Sequence, residues 1–582
     1  ALRARVGAVV NVEARGTNGP SLLFQTSPGN ARLIGLYAAH VRAVASSSLY
    51  AEIYRHLPND TDLTLFIRDG FAGFNFAFAG NVRYYHSALD ARRNLSIASL
   101  QMQGDSLLGV VRALEDTPYA ALRGANEIYL SVFNRFMPRV PAGWALPLAI
   151  AAFALTALAA WRARARPVGR ARVRRVLPAV LMPPVLIGGA LLIAGLLVQI
   201  ARRLSGMPDA AYAHPAALRV ALAFGAWTMT LLAARMVNVW TAAASAWLWM
   251  GALGVAAAIS VPGASPYVVF PALVAAVLLI AAACTPDGWH GPWGQTALGL
   301  SALAGLVVWI ALAASAETLG GFRLYPLVLI PGALALLGLV PLLAARAAWP
   351  RGWLASVLAS SALALIAAVI AGLLPAYSRA SPQRLDLIYF ENPTAAMWLA
   401  EPSWEGRSTG PIPAPLLQAG NFRRIQPLPM LLGGAAVAAS PVGTPRLPLP
   451  TATVLRDESV RGIRQLTLQL HGSPDSDAML LYIPKTAGLR GIDLQGQHLH
   501  VPRGWSGATR LTCNGRDCRD EIVTLSLAGD TPTLQFAELR YAVPPFGAAL
   551  QAARPDTAMA SQGGDQVMLV NTIGINAIGA AR

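Results

Sequence analysis

The chain has 582 residues, of which 55% are hydrophobic and 13% are charged. Ordinary soluble proteins carry about 25% charged residues, so a wholly soluble chain is excluded and several domains, some in a membrane, are expected. The net charge of +17 is almost all arginine, Lys485 being the one lysine. No aromatic-interleaved basic patch accompanies it, which argues against a nucleic-acid partner.

Residues 1–140 read as soluble α/β. VGAVVNVEA predicts a buried strand, GNARLIGLYAAHVRAV a helix behind Pro28 and Gly29, and GFNFAFAG a second strand. SIASLQMQGDSLLGVVRALED predicts an amphipathic helix that closes a domain over 1–115, and residues 116–141 then read as a helical connector. Three motifs punctuate this region: NVEARG at 11–16, PNDTD at 58–62 and YYHSALD at 84–90. Glu13 ends one apolar run and His86 follows another. A carboxylate and an imidazole at the ends of different strands are raw material for a metal site in an open α/β sheet. Each also has an ordinary reading: Asn59 and Asp60 after Pro58 suit a turn, and Asp90 suits a helix cap.

Eight apolar spans are expected between 142 and 375, at about 143–161, 177–200, 216–234, 239–261, 266–284, 295–316, 324–345 and 353–375, each near the length that crosses a bilayer. Seven arginines crowd into 162–175, the mark of a cytoplasmic loop. Arg235, Arg346 and Arg351 mark alternate loops, whereas Arg202 and Arg203 fall in a predicted outer loop and run against the pattern. Eight crossings with this bias put 1–140 and 376–582 outside the cytoplasm. Arg219 is the one ionisable group that suggests a pathway, but it lies near a span end where it can snorkel, so the spans read as an anchor.

Residues 376–582 begin Pro-rich and then alternate as QLTLQLHG, AMLLYIP, EIVTLSLAG and TLQFAELRYAV, which predicts an antiparallel, sandwich-like domain. His498 and His500 read as a surface pair without an acidic partner. Cys284 reads as a buried thiol. Cys513 and Cys518 enclose NGRD without further ligands, so a local disulfide in an oxidising compartment is expected.

The motifs N-x-E-A-R-G, F-Q-T, P-N-D-T-D-x-T-x-F and Y-H-S-x-x-D, in this order, resemble the co-catalytic zinc peptidases of metallopeptidase family twenty-eight. The match is closest to its membrane-embedded branch, the endoplasmic-reticulum and vacuolar-membrane metallopeptidases. The resemblance covers the carboxyl-terminal half of that α/β peptidase domain. It implies a multi-domain membrane protein: a partial α/β zinc-peptidase domain, an eight-helix transmembrane bundle and a carboxyl-terminal mainly-β domain. It also implies two zinc ions, with Glu13 ligating one and His86 the other. Asp62 and Asp90 would orient ligands, and Asn59, Asp60 and Tyr85 would line the substrate end. The partners expected are a peptide substrate and the lipid bilayer.

The family pattern also calls for an upstream H-x-D, a bridging aspartate and a Glu-Glu pair that supplies the general base. None of the eight histidines has Asp two positions later and no Glu-Glu occurs. Three ligands and the proton shuttle are therefore expected outside this sequence. The reading is a fragment of a membrane-anchored zinc aminopeptidase, inactive as it stands. Its Ala/Arg/Gly-rich composition suggests a bacterial inner membrane with both soluble domains periplasmic. A glutaminyl-cyclase-like acyltransferase shares these ligands, and a non-catalytic scaffold or receptor is the rival from another class.

Overall fold

The structure is a computed structural model that describes residues 6–57, 60–163, 171–346, 350–404, 407–425, 437–443, 447–494, 496–501, 507–529 and 533–574. It divides into two compact units, one of Ala1–Tyr85 with Leu89–Ala376 and one of His86–Ala88 with Tyr377–Arg582.

The first unit opens with β1 (Ala8–Ala14), β2 (Leu22–Thr26), α1 (Ala31–His40), α2 (Ser48–His56), α3 (Asp62–Arg68), β3 (Ala72–Phe78) and α4 (Ile97–Glu115). The three strands form one sheet in the order β1-β3-β2, with β1 parallel and β2 antiparallel to β3. Every residue of β3 is buried, as a central strand requires. The residues of β1, expected to be buried, are half-buried or exposed, because it pairs on one side only. Ser96 caps α4 by accepting from Ser99 N–H at 3.3 Å, and α4 packs on α1, β1 and β3.

The expected helical connector is not helical. Residues 116–141 hold one short 3₁₀ turn and the antiparallel pair β4 (Glu127–Tyr129) and β5 (Arg139–Pro141). Gly124 and Pro138 break the helical pattern, and the EIY and RVP segments pair instead. Ile128 then joins Ala145, Ala149, Ala258 and Val269 in one buried cluster, so this domain shares a core with the helices that follow.

Those helices are α5 (Ala145–Ala163), α6 (Ala171–Ser205), α7 (Pro215–Met236), α8 (Val239–Ser260), α9 (Pro266–Ala283), α10 (Pro292–Gly320), α11 (Tyr325–Leu337), α12 (Val340–Arg346) and α13 (Pro350–Leu373). Among the described residues seven helical stretches, not eight, are long and apolar enough to cross a membrane. The expected spans 295–316 and 324–345 merge into the stretch Pro292–Leu337, in which α10 and α11 pack against each other across a 3₁₀ turn at Gly321–Leu324. α11 has 13 residues, about 20 Å, too short to cross a hydrocarbon core of about 30 Å alone. The bundle interior is rich in alanine, which lets helices approach closely in lipid.

One of the contrary arginines, Arg202, has an acidic neighbour. Asp209, after α6, is half-buried; burial pushes its carboxyl up, while Arg323 and Arg202 favour the charged form. Arg202 thus lies near enough to favour a charged carboxylate there. Cys284, expected to be buried, is exposed, because it lies at the C-cap of α9.

The second unit holds two main sheets. One has eight strands in the order Arg423–Ile425, Val437–Val442, Ala396–Glu401, Asp386–Glu391, Gln566–Gly574, Thr533–Arg540, Ala478–Ile483 and Thr509–Asn514. The other runs Thr451–Val460, Ile463–His471, Asp520–Leu527, Leu489–Leu494 and Gln497–His500. Leu466, Leu468 and Val523 from the smaller sheet pack with Met479, Leu481 and Phe536 from the larger, which makes a sandwich. It is mixed rather than purely antiparallel, since Gln566–Gly574 runs parallel to Asp386–Glu391. Cys513 and Cys518 are joined, with an S–S distance of 2.05 Å. His498 does have an acidic partner: its Nδ1 lies 2.7 Å from Asp493 Oδ1.

Candidate functional site

The three strands of the first sheet align Asn11, Asn75 and Gln25 side by side. Asn75 is fully buried. Its Oδ1 accepts from Asn11 Nδ2 at 2.9 Å, and its Nδ2 donates to Gln25 Oε1 at 2.9 Å and Thr61 Oγ1 at 2.7 Å. Asn11 Nδ2 also donates to Glu13 Oε1 at 3.1 Å, and Gln103 Nε2 from α4 donates to the Glu13 carbonyl at 3.2 Å. Glu13 is therefore held from both its side chain and its backbone. One buried asparagine ties together a residue from each of N-x-E-A-R-G, F-Q-T and P-N-D-T-D.

The glycine of NVEARG has a steric reason. A Cβ on Gly16 would lie 2.1 Å from the Gly80 carbonyl oxygen, where Thr17 N–H donates at 3.0 Å. The chain leaving Glu13 can pass the end of β3 only without a side chain.

Tyr54 on α2 belongs to the same neighbourhood. Its ring meets Phe24 edge-on at 4.9 Å. Burial raises its phenol, with Asp60, Glu13 and Tyr85 adding to the rise and the nearby Thr61 opposing it.

The remaining sequence candidates fall as follows. Asp60 is exposed and lies 3.4 Å from the Arg68 guanidinium. Asp62 is exposed in the first turn of α3, where a carboxylate complements the helix dipole. Asp90 is exposed in a bend; Ala91, not Asp90, precedes the 3₁₀ turn Arg92–Asn94 as its cap. The Tyr85 ring has the Arg15 guanidinium 6.0 Å from its centroid. His86 is half-buried in a turn with φ 56°, a left-handed conformation that few non-glycine residues adopt. Asn59 lies outside the described residues.

A hard carboxylate and an imidazole suit Zn²⁺ chemically, but a zinc site needs three or four ligands. Among the described residues, the group of three metal-binding side chains close enough to share an ion is Cys513, Cys518 and Glu521. It includes neither Glu13 nor His86, and its two sulfurs are bonded to each other. The donor types fit zinc; the donor number does not.

Residues 1–111 match the description Peptidase family M28. This segment belongs to that family. The chain is 32% identical over 120 residues to "Putative endoplasmic reticulum metallopeptidase 1-A" of Caenorhabditis elegans, covering 20% of this chain and 13% of that protein. It is 29% identical over 143 residues to human "Endoplasmic reticulum metallopeptidase 1", covering 23% and 16%. A fission-yeast protein (Schizosaccharomyces pombe), "Putative endoplasmic reticulum metallopeptidase 1", is 31% identical over 139 residues, again covering 23% and 16%. The matched stretch thus spans about one seventh of each relative's length. No solved structure matches the chain. The M28 match is confined to residues 1–111, and the seven apolar helical stretches that follow fit an integral membrane protein.

Sequence reasoning missed Asn75 and Tyr54. Asn75 had a signal: one amide inside the otherwise apolar GFNFAF, where a buried polar group must find partners. Tyr54 had none.

Proposed function

We propose that the M28 segment serves a membrane-anchored, zinc-dependent exopeptidase that removes amino-terminal residues from peptides. Glu13 would hold one zinc and His86 the other, with Asp62 and Asp90 orienting ligands and Asp60 and Tyr85 lining the substrate end. Bound zinc would supply carbonyl polarisation and an activated water. The further ligands and the general base would come from beyond these motifs. One observation carries the reading: Asn75 joins Asn11, Gln25 and Thr61, letters of three separate motifs, and Asn11 in turn holds Glu13. The left-handed backbone at His86 supports it, since such strain collects where a side chain must be aimed. The arginine distribution supports an extracytoplasmic place for the amino-terminal domain, and the composition a bacterial inner membrane.

The test is zinc stoichiometry and zinc-dependent cleavage of aminoacyl-coumarin reporters by the full-length gene product. Glu13→Gln and His86→Ala are each expected to lower bound zinc and abolish cleavage while membrane insertion persists. Unchanged zinc content in both variants overturns the assignment. A second reading, a non-catalytic scaffold, is favoured by the lack of a three-ligand group around Glu13 or His86 among the described residues. It predicts no zinc and no cleavage before any substitution. Cyclisation of an amino-terminal glutamine reporter, without peptide cleavage, would identify a glutaminyl cyclase instead.

A further inference from the structure

Helix α2 touches the bundle along two lines. Ser48 Oγ donates to the Gly263 carbonyl at 2.7 Å, and a Cβ on Gly263 would lie 2.3 Å from Glu52 Cγ. On the other line, the Tyr50 hydroxyl reaches Ser315 Oγ of α10 at 3.4 Å. At 3.6 residues per turn, Glu52 lies about 40° and Tyr50 about 200° around the helix from Ser48. Leu49, Ile53 and the C-capping Leu57 fall between them, at about 100°, 140° and 180°, with the exposed His56 at about 80° on the Glu52 side. This stripe is on the side that meets the bundle, yet Ile53 is 48% and Leu57 42% exposed.

The depth of this stripe follows from α10. Its 29 residues span about 44 Å against a hydrocarbon core of about 30 Å, so each end overruns by several ångströms. Ser315 lies five residues before the end at Gly320, close to the hydrocarbon boundary. Exposed aromatics mark that boundary on neighbouring elements: Trp144 precedes α5, and Phe133 and Phe136 lie in the turn between β4 and β5. Aromatic residues collect at this level.

We infer that the Leu49–Ile53–Leu57 face of α2 rests in the interfacial layer of the bilayer, as a monotopic helix continuous with the membrane bundle. Lipid is the occupant because both flanks of the stripe are already seated on membrane-spanning helices or their connecting turn. Amphipathic helices of this kind bury their apolar face at the headgroup–acyl boundary. Tyr54, the next residue after Ile53, shares its surroundings with Glu13. On the peptidase reading above, on which this clause rests, the site opens at the membrane surface and its substrates are peptides whose amino termini lie there.

The full chain with Ile53→Cys in a Cys284→Ser background, carrying a bimane label, tests the surface in phosphatidylcholine nanodiscs. Shallow lipid nitroxide (5-doxyl phosphatidylcholine) is expected to reduce its emission about twofold or more, and aqueous iodide to have little effect. Leu57→Cys provides a second position should the first variant misfold. Quenching by iodide alone places the face in water, and quenching by neither places it under protein; either outcome overturns the inference. The measurement needs no catalysis, so it reads the depth of α2 even if the peptidase reading is lost.

Discussion

Two buried polar residues make opposite demands on their surroundings. Asn75 is satisfied by three partners, and Asn75→Ala would strand the Asn11 amide and the Gln25 and Thr61 oxygens. The expected cost is about 3 kcal/mol in a chemical denaturation of the amino-terminal domain, the penalty of leaving buried groups unpaired. Asp386 is buried, accepts from Ser561 N–H at 2.6 Å, and burial raises its carboxyl to about 6. As pH rises the unfolded chain loses this proton first, so ionisation favours unfolding. Stability of the carboxyl-terminal unit should fall between pH about 4 and about 6, by at most on the order of 3 kcal/mol. Asp386→Asn should flatten that slope, which urea midpoints across the window will read. Nothing local marks Asp386, whose strand neighbours are apolar and whose partner is distant in the chain. Asn75 stands out only as a lone amide, its partners equally distant. Glu13 and His86 are legible because short motifs surround them, but the sheet that holds Glu13 is built by pairing and leaves no trace in those motifs.

Elements were legible where local chemistry decided them and illegible where pairing did. α1, α4 and β3 follow their apolar periodicity. β4 and β5 do not, because three-residue strands are defined by each other. The bundle shows a related limit: hydropathy counts apolar length, and two helices folded back at Gly321–Leu324 read as two crossings although α11 is too short for one. In the carboxyl-terminal unit the Cys513–Cys518 bond closes a loop with a sequence separation of five. Chain entropy gives such a small loop about 2 kcal/mol. Cys513→Ser with Cys518→Ser should lower the urea stability of this unit by about that amount, and a dithiol should reproduce the loss in the parent chain alone.

Across the whole first unit, soluble domain and membrane bundle are one body, because Ile128 is buried among Ala145, Ala149, Ala258 and Val269. Ile128→Asp places a charge in that shared core, and a loss of about 3 kcal/mol or more is expected. Its signature should be regional: protease sites in 31–57 are expected to open in the variant at temperatures where the parent resists. Gly263→Leu should act on the same seam by pushing Glu52 and α2 away, and equal protease resistance in both variants and parent would refute the coupling.

The cluster around Ile128 carries a practical consequence for anyone who extracts the protein. Because its walls come from α5, α8 and α9 as well as from β4, a harsh detergent that loosens those three helices also undoes the seam that joins the amino-terminal domain to the bundle. Solubilisation conditions should therefore govern how firmly that domain stays seated on its helices, long before any hydrolysis is assayed.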